Sequence, residues 1–162
     1  MGAARKTKHE LSENIVGPLV RRHSTAVVLL HHAFAERLGL GPTDLQCFAL
    51  LRERGPMTGS DLAAITDLTT GAITGVVARL ERAGYLRREP APHDQRKQTL
   101  FPVLERVGDI KGVFDPMRRD IAALLDGLDT HQLTAIAEFL ARTTDFIYYH
   151  MALLRAQRFR CE

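Results

Sequence analysis

Small and hydroxyl-bearing residues recur at helical spacing between positions 70 and 78, and arginines follow at positions 79 and 82. This face carries Thr70, Gly71, Thr74, Gly75 and Ala78, whereas the opposite face carries Ile73, Val76, Val77 and Leu80. Slim side chains permit close approach to a partner, hydroxyls bond to base edges or phosphates, and arginines neutralise phosphates. Each helical glycine costs about 1 kcal/mol relative to alanine, which disfavours an incidental surface. The pattern favours a helix that enters the major groove of DNA.

Basic residues are concentrated between positions 79 and 97. This segment has six basic and three acidic residues, and its net charge of +3 equals that of the whole chain. A cationic strip on an otherwise balanced protein is typical of a surface that binds a polyanion, although a solvated charged face has the same composition. Its loop, residues 90–97 (PAPHDQRK), has a basic tip. Arg96 there can reach into a minor groove, with Asp94 orienting its guanidinium.

A short helix, a turn and a second helix precede most of the basic strip. Thr58 with Asp61 three residues later has the capping-box pattern of a helix start, and this helix extends to Ile65. Thr69 is the predicted N-cap of the next helix, which ends at Gly84. A β-hairpin follows, because residues 85–88 and 98–101 alternate in character around a loop that contains both Pro90 and Pro92.

The helix-turn-helix, the glycine stop, the YLRRE strand and the PHDQRK loop resemble the MarR family of winged-helix transcription regulators, from about Leu45 to Phe101. The resemblance implies a mainly α fold with a small β-hairpin, in which long N- and C-terminal dimerisation helices flank a winged helix-turn-helix core. It implies a sequence-specific DNA-binding regulator, not an enzyme, that acts as a homodimer on a pseudo-palindromic operator. A repressor is favoured over an activator, and family members are often released by a small-molecule effector.

The resemblance also assigns the candidate site residues. Ser60 and residues 69–74 would contact the major groove, Arg79 and Arg88 the phosphates, and Arg96 the minor groove. The DNA-binding set is Ser60, Thr69, Thr70, Gly71, Thr74, Arg79, Arg88, Asp94, Arg96 and Lys97. An effector pocket between the long helices and the DNA-binding region would be lined by His31, Phe34 and Phe48.

Long helices are predicted on both sides of this region. We expect a basic arm (1–8), an N-terminal dimerisation helix (9–41) kinked at Gly17-Pro18, the winged helix-turn-helix (42–103) and C-terminal helices (104–162). Predicted helix starts are Thr43 with Gln46, Asp115 with Pro116, and Asp129 with Gln132. The last helix carries an apolar stripe of Leu133, Ile136, Leu140, Ile147, Met151 and Leu154. A stripe of that length predicts a homodimer interface; the alternative is that it folds back onto its own core.

Other function classes have little support in the sequence. It contains no GxGxxG, P-loop, GxSxG or HExxH motif, so we expect neither catalysis nor a cofactor. Its seven histidines form no H-x-x-x-H pair, which disfavours a metal site, and Cys47 lies in an apolar helix that predicts an inert thiol. The longest purely aliphatic run has five residues, which predicts a cytoplasmic protein without a membrane span. The remaining alternative is a non-catalytic winged-helix adaptor that binds protein partners.

Overall fold

The computed structural model describes the backbone of residues 7–91 and 94–158. Side chains are described for the same residues except 91, 94–96, 104, 107, 109 and 158. The chain divides into two compact units, 1–115 and 116–162. Helices predominate and three short strands form one sheet, which confirms the predicted mainly α fold with a small β-hairpin.

The helices are α1 (Lys8–Asn14), α2 (Val20–Arg37), α3 (Pro42–Arg54), α4 (Gly59–Thr66), α5 (Thr70–Arg82), α6 (Val107–Ala123) and α7 (Thr130–Arg158). The strands are β1 (Met57–Thr58), β2 (Leu86–Ala91) and β3 (Asp94–Pro102). A π-helical turn, Ile15–Leu19, joins α1 to α2 and contains Pro18, so the predicted interruption takes this form. Pro18 lacks the backbone N–H that a regular α-helical turn would use, and long helices depart from regular geometry at prolines and at π turns.

The sheet is antiparallel, with β3 between β1 and β2. Leu100 lies opposite both Met57 and Arg88, so the centre of β3 is paired on both sides. The placement of Pro90 in a loop is wrong: it lies in β2 opposite Gln98, next to a register shift. A proline is compatible with this outer strand because β2 has a neighbour on one side only. Pro92 lies outside the described residues.

Two predicted helix starts are wrong. The N-cap of α3 is Gly41, not Thr43; Pro42 occupies the first helical position, and the Gly41 N–H donates to the Asp44 carboxylate at 3.1 Å. Proline suits that position because its missing N–H would have no intrahelical partner. Asp115 with Pro116 starts no helix, because α6 runs continuously from Val107 to Ala123 with Pro116 inside it. A proline there removes one backbone hydrogen bond without ending the helix.

The core of the first unit lies between α3, α4, α5 and the sheet. The apolar face of α5 is buried as predicted, at Ile73, Val76, Val77 and Leu80. Leu51 and Leu62 supply fully buried side chains from α3 and α4. Burial of this face orients α5 with its threonine- and glycine-bearing face toward the exterior.

The second unit is dominated by α7. Asp129 and Gln132 form the predicted reciprocal cap, with their backbone N–H groups donating to each other's side chains at 2.9 and 2.8 Å. Most of the predicted apolar stripe is exposed, at Leu133, Ile136, Leu140, Ile147 and Leu154. Within the described residues no single helix is long and apolar enough to cross a membrane; α4 and α5, bent by 115°, satisfy that length and composition test only as a pair.

Candidate nucleic-acid interface

A reciprocal capping box fixes the start of α4, and a single side-chain cap fixes the start of α5. The Thr58 N–H and hydroxyl donate to Asp61 Oδ2 at 3.0 and 2.7 Å, and the Asp61 N–H donates back to Thr58 Oγ1 at 3.2 Å. These hydrogen bonds hold the pKa of Asp61 below its ordinary value, and the bond from the Thr58 hydroxyl has the largest effect. The nearby charge of Lys97 lowers the pKa further. The Ala72 N–H donates to Thr69 Oγ1 at 3.2 Å, which confirms the cap predicted for α5.

A cavity of about 670 Å³ lies between α4, α5 and the sheet, and we call it the α4–α5 groove. Ile73, Val77 and Leu100 contribute its apolar lining. The predicted DNA-binding residues among its lining are Ser60, Thr70, Thr74, Arg88 and Lys97. The fold therefore brings half of the predicted set, drawn from two helices and two strands, to one concave surface.

The outer face of α5 is slim and offers hydrogen-bond acceptors. The Thr74 hydroxyl donates to the Thr70 carbonyl at 2.8 Å, so its oxygen remains able to accept from a partner's amino group. Gly71 is exposed, and a Cβ built on it would meet nothing within 4 Å, so its missing side chain leaves open space in front of the helix. These features fit the close approach expected of a helix in a major groove.

Arg88 is held in place from α5. Its Nε and Nη2 lie 3.0 and 2.8 Å from Glu81 Oε2. The pair connects strand β2 to the last turn of α5, and the Arg88 side chain remains partly exposed toward the groove. Because the Arg88 guanidinium is already held by a charged hydrogen bond, it would lose little side-chain entropy on contact with a phosphate.

Arg79 has a partner that the sequence did not reveal. Its Nε and Nη2 bond to the Asp44 carboxylate at 2.9 and 2.7 Å, and Asp44 is 1% exposed. The hydrogen bonds that Arg79 donates to the Asp44 carboxylate raise the pKa of Arg79 above its already high ordinary value. The phosphate contacts predicted for Arg79 and for Arg88 both stay predictions, since each guanidinium has two nitrogens bonded to a carboxylate of the protein.

The tip of the hairpin contains predicted residues whose side chains are not described. The backbone places Asp94 and Arg96 in β3, but the predicted contact between their side chains lies outside the described residues. Lys97 is described, is exposed, and lines the α4–α5 groove.

The predicted effector-pocket residues lie in different environments. Phe34 is buried with its ring centroid 3.9 Å from that of Phe114, and Phe48 is buried with its ring edge-on to Tyr85 at 5.7 Å. His31 is partly exposed. The two phenylalanines therefore pack within the core, and the effector pocket stays a prediction.

Cysteine and metal chemistry can be assessed within the described chain. Cys47 is fully buried, and burial, together with the neighbouring Asp44 charge, raises its pKa to about 11 although Arg79 acts in the opposite direction. A thiol with that pKa is almost entirely protonated at neutral pH. The described residues contain no group of three histidine, cysteine or acidic side chains placed to bind a metal ion.

Comparisons with known proteins identify the family of the chain. The chain is 35% identical over 153 residues to the uncharacterized HTH-type transcriptional regulator YcgE of Bacillus subtilis (strain 168), an alignment that covers 94% of this chain and 99% of YcgE. Residues 38–97 match the model of the MarR family. The chain belongs to the MarR family. As a MarR-family protein it is a DNA-binding transcriptional regulator, which confirms the predicted resemblance.

Solved MarR-family structures share the fold. A MarR family protein from Bacillus stearothermophilus superposes with a TM-score of 0.67 and 17% identity, over 88% of this chain and 99% of that one. BpsR from Bordetella bronchiseptica superposes with a TM-score of 0.54 and 21% identity, over 80% of this chain and 93% of its own. Regulation of the DNA binding of BpsR by 6-hydroxynicotinic acid is described for that protein.

The sequence patterns did not identify the two carboxylates that hold Arg79 and Arg88 in place. Asp44 and Glu81 carry no motif: each is an ordinary helical residue whose arginine partner lies in another element. Asp44 lies three residues after Gly41, a spacing that signals only a helix cap.

Proposed function

We propose that this MarR-family regulator is a homodimeric repressor that reads a pseudo-palindromic operator with the α4–α5 groove and the hairpin, and that a small-molecule effector releases it. The observation that carries the proposal is the convergence of Ser60, Thr70, Thr74, Arg88 and Lys97 on one concave surface. Hydroxyls that can bond base edges, flanked by cations that can contact phosphates, fit double-stranded DNA as the partner. As a transcriptional regulator, the protein would act in the cytoplasm, in contact with the genomic DNA.

Within this proposal the residues divide into reading and anchoring groups. Thr70, Gly71 and Thr74 on the exposed face of α5 would meet base edges, with the Thr74 oxygen accepting from an adenine or cytosine amino group. Ser60 and Thr69 begin or precede helices, where backbone N–H groups attract phosphate. Arg88 and Lys97 would contact phosphates, and Arg96, oriented by Asp94, would enter the minor groove.

The homodimer is supported by apolar side chains that the single chain leaves exposed. α2 exposes Val28 and Leu29, and α7 exposes Leu140, Phe146 and Ile147. Exposed apolar surface on this scale is typical of an interface between chains. Two-fold symmetry then predicts operator half-sites about 10 bp apart. The effector would bind near His31, Phe34 and Phe48, as the sequence predicts.

The test measures binding of variants to DNA from upstream of the gene and to random DNA. Thr74→Ala should weaken the preference for the upstream DNA by about 5- to 150-fold, the discrimination of one good base contact. The matched control is Thr134→Ala, because Thr134 on α7 donates to the carbonyl of Thr130 at the same 2.8 Å. Equal losses on both DNAs, or equal effects of the two substitutions, would contradict a base-reading role.

A second set of variants distinguishes phosphate contacts from base contacts. Lys97→Ala should lower the slope of log affinity against log salt by about 0.9, since one phosphate contact is lost. Lys111→Ala, an exposed lysine on α6, should leave the slope unchanged. Unchanged DNA binding in Lys97→Ala and in Arg88→Ala would overturn the placement of DNA in the α4–α5 groove; a wild type that binds neither DNA would favour an adaptor that binds protein.

A further inference from the structure

Among the described residues, Asp44 is the one charged side chain that is buried, at 1% exposure. Burying a carboxylate is costly unless hydrogen bonds and an opposite charge replace its water. Asp44 receives four such bonds, one from the Gly41 N–H and three from Arg79. It lies in the first turn of α3, whereas Arg79 lies 35 residues away in α5. One buried carboxylate thus joins the α2–α3 turn to the helix that would read DNA.

The geometry of the pair constrains orientation as well as distance. Arg79 Nε lies 2.9 Å from Oδ2 and Nη2 lies 2.7 Å from Oδ1, an arrangement in which both carboxylate oxygens face the guanidinium plane. α3 and α5 also contribute buried apolar side chains, among them Leu51 and Leu80, and apolar burial is non-directional. A bidentate pair adds a geometric restraint that apolar packing lacks.

Gly75 on the same face of α5 makes room for this arrangement. A Cβ built on Gly75 would lie 3.3 Å from Arg79 Nη1, tighter than an ordinary van der Waals contact. The guanidinium therefore passes over a position that carries no side chain. This provides a reason for a glycine in the middle of α5, where it weakens the helix relative to alanine.

We propose that Asp44 is a positioning residue for DNA recognition: through Arg79 it fixes the placement of α5, and with it Thr70 and Thr74, relative to α3. The inference rests on the proposed function and gives Arg79 a different role from the predicted phosphate contact. Arg79 acts here through Asp44, and its charge is largely compensated by that carboxylate.

The test compares Asp44→Asn and Arg79→Lys with the wild type on upstream and random DNA, at a temperature where circular dichroism shows each protein folded. Affinity for upstream DNA should fall about tenfold in both variants, the loss that corresponds to one charge-assisted hydrogen bond. Affinity for random DNA should stay within about twofold of wild type, because no phosphate contact is lost. For the same reason the slope of log affinity against log salt should change by less than about 0.3. Asp44→Asn makes the chain more basic, so weaker binding is opposite to the simple charge effect.

Glu53→Gln is the matched control, because it removes one exposed carboxylate from the same helix. It should leave both affinities within about twofold of wild type, because the exposed charge that it removes is screened by salt. An Arg79→Lys variant with wild-type affinity, together with an Arg79→Ala variant whose salt slope falls by about 0.9, would make Arg79 a phosphate contact and overturn the proposal. Equal losses on both DNAs would also overturn it. A wild type without preference for upstream DNA would instead refute the proposed function itself.

Discussion

Replacing Arg79 by methionine should destabilise the protein by leaving a buried carboxylate without its main partner. Three of the four hydrogen bonds to Asp44 come from Arg79, so Arg79→Met leaves only the bond from the Gly41 N–H. Removal of one partner from a fully buried pair costs about 3–5 kcal/mol. The Arg79 side chain, however, is 52% exposed, so water can enter where the guanidinium was and the pair is partly screened. We therefore expect a loss of about 2 kcal/mol.

For a chain of this length that loss corresponds to a fall in Tm of about 4–8 °C. The measurement is chemical and thermal denaturation followed by circular dichroism at one fixed protein concentration, because the proposed dimer would couple stability to concentration. Arg82→Met, which removes an exposed arginine three residues along α5, should change stability by less than about 0.5 kcal/mol.

A double-mutant cycle isolates the pair. Asp44→Asn removes the buried charge, so adding Arg79→Met to it should cost clearly less than Arg79→Met alone. We expect a coupling energy of about 1–2 kcal/mol. Additive losses, or an Arg79→Met variant as stable as Arg82→Met, would refute the reasoning that the buried carboxylate depends on Arg79.

Three further predictions concern other parts of the chain. Leu140→Glu places a charge on an exposed apolar position of α7 and should halve the mass measured by sedimentation equilibrium; an unchanged mass would place the interface elsewhere. Thr58→Ala should cost about 1 kcal/mol at pH 7 in denaturation experiments. Because the folded pKa of Asp61 is lowered, its carboxylate contributes stability above its ordinary pKa of 3.8 and loses that contribution as pH falls through the folded value. The cost of Thr58→Ala should therefore shrink in acid, and a cost independent of pH would contradict the cap. In a Cys161→Ser variant, Cys47 should resist alkylation at pH 8 until denaturant is added, because its pKa is about 11; fast labelling of the native protein would contradict its burial.

The sequence predicted the elements that depend on residues close together in the chain. Thr58 and Thr69 cap their helices as expected, since a cap depends on residues only three positions apart. The burial of one α5 face followed from its 3.6-residue period. The two-residue strand β1 was not predicted, because Met57 and Thr58 pair with a strand some 40 residues later and carry no alternation of their own.

Errors arose where a local signal had two meanings. Asp115 with Pro116 has the form of a helix start, yet the helix continues through it because a proline removes only one backbone bond. Thr43 could cap a helix, but Pro42 already occupies its first position. Within the site, the outward-facing residues of α5 were predictable from the helical spacing of its apolar residues. Asp44 was not, because its partner is 35 residues away.

The most direct test of the central claim is a fluorescence-anisotropy titration of the wild-type protein with DNA from upstream of its gene and with a scrambled sequence, at two salt concentrations. The account predicts a preference for the upstream DNA of at least about 1,000-fold, with affinity falling steeply as salt increases. Weak binding that is equal on both sequences would contradict the claim that the α4–α5 groove reads an operator.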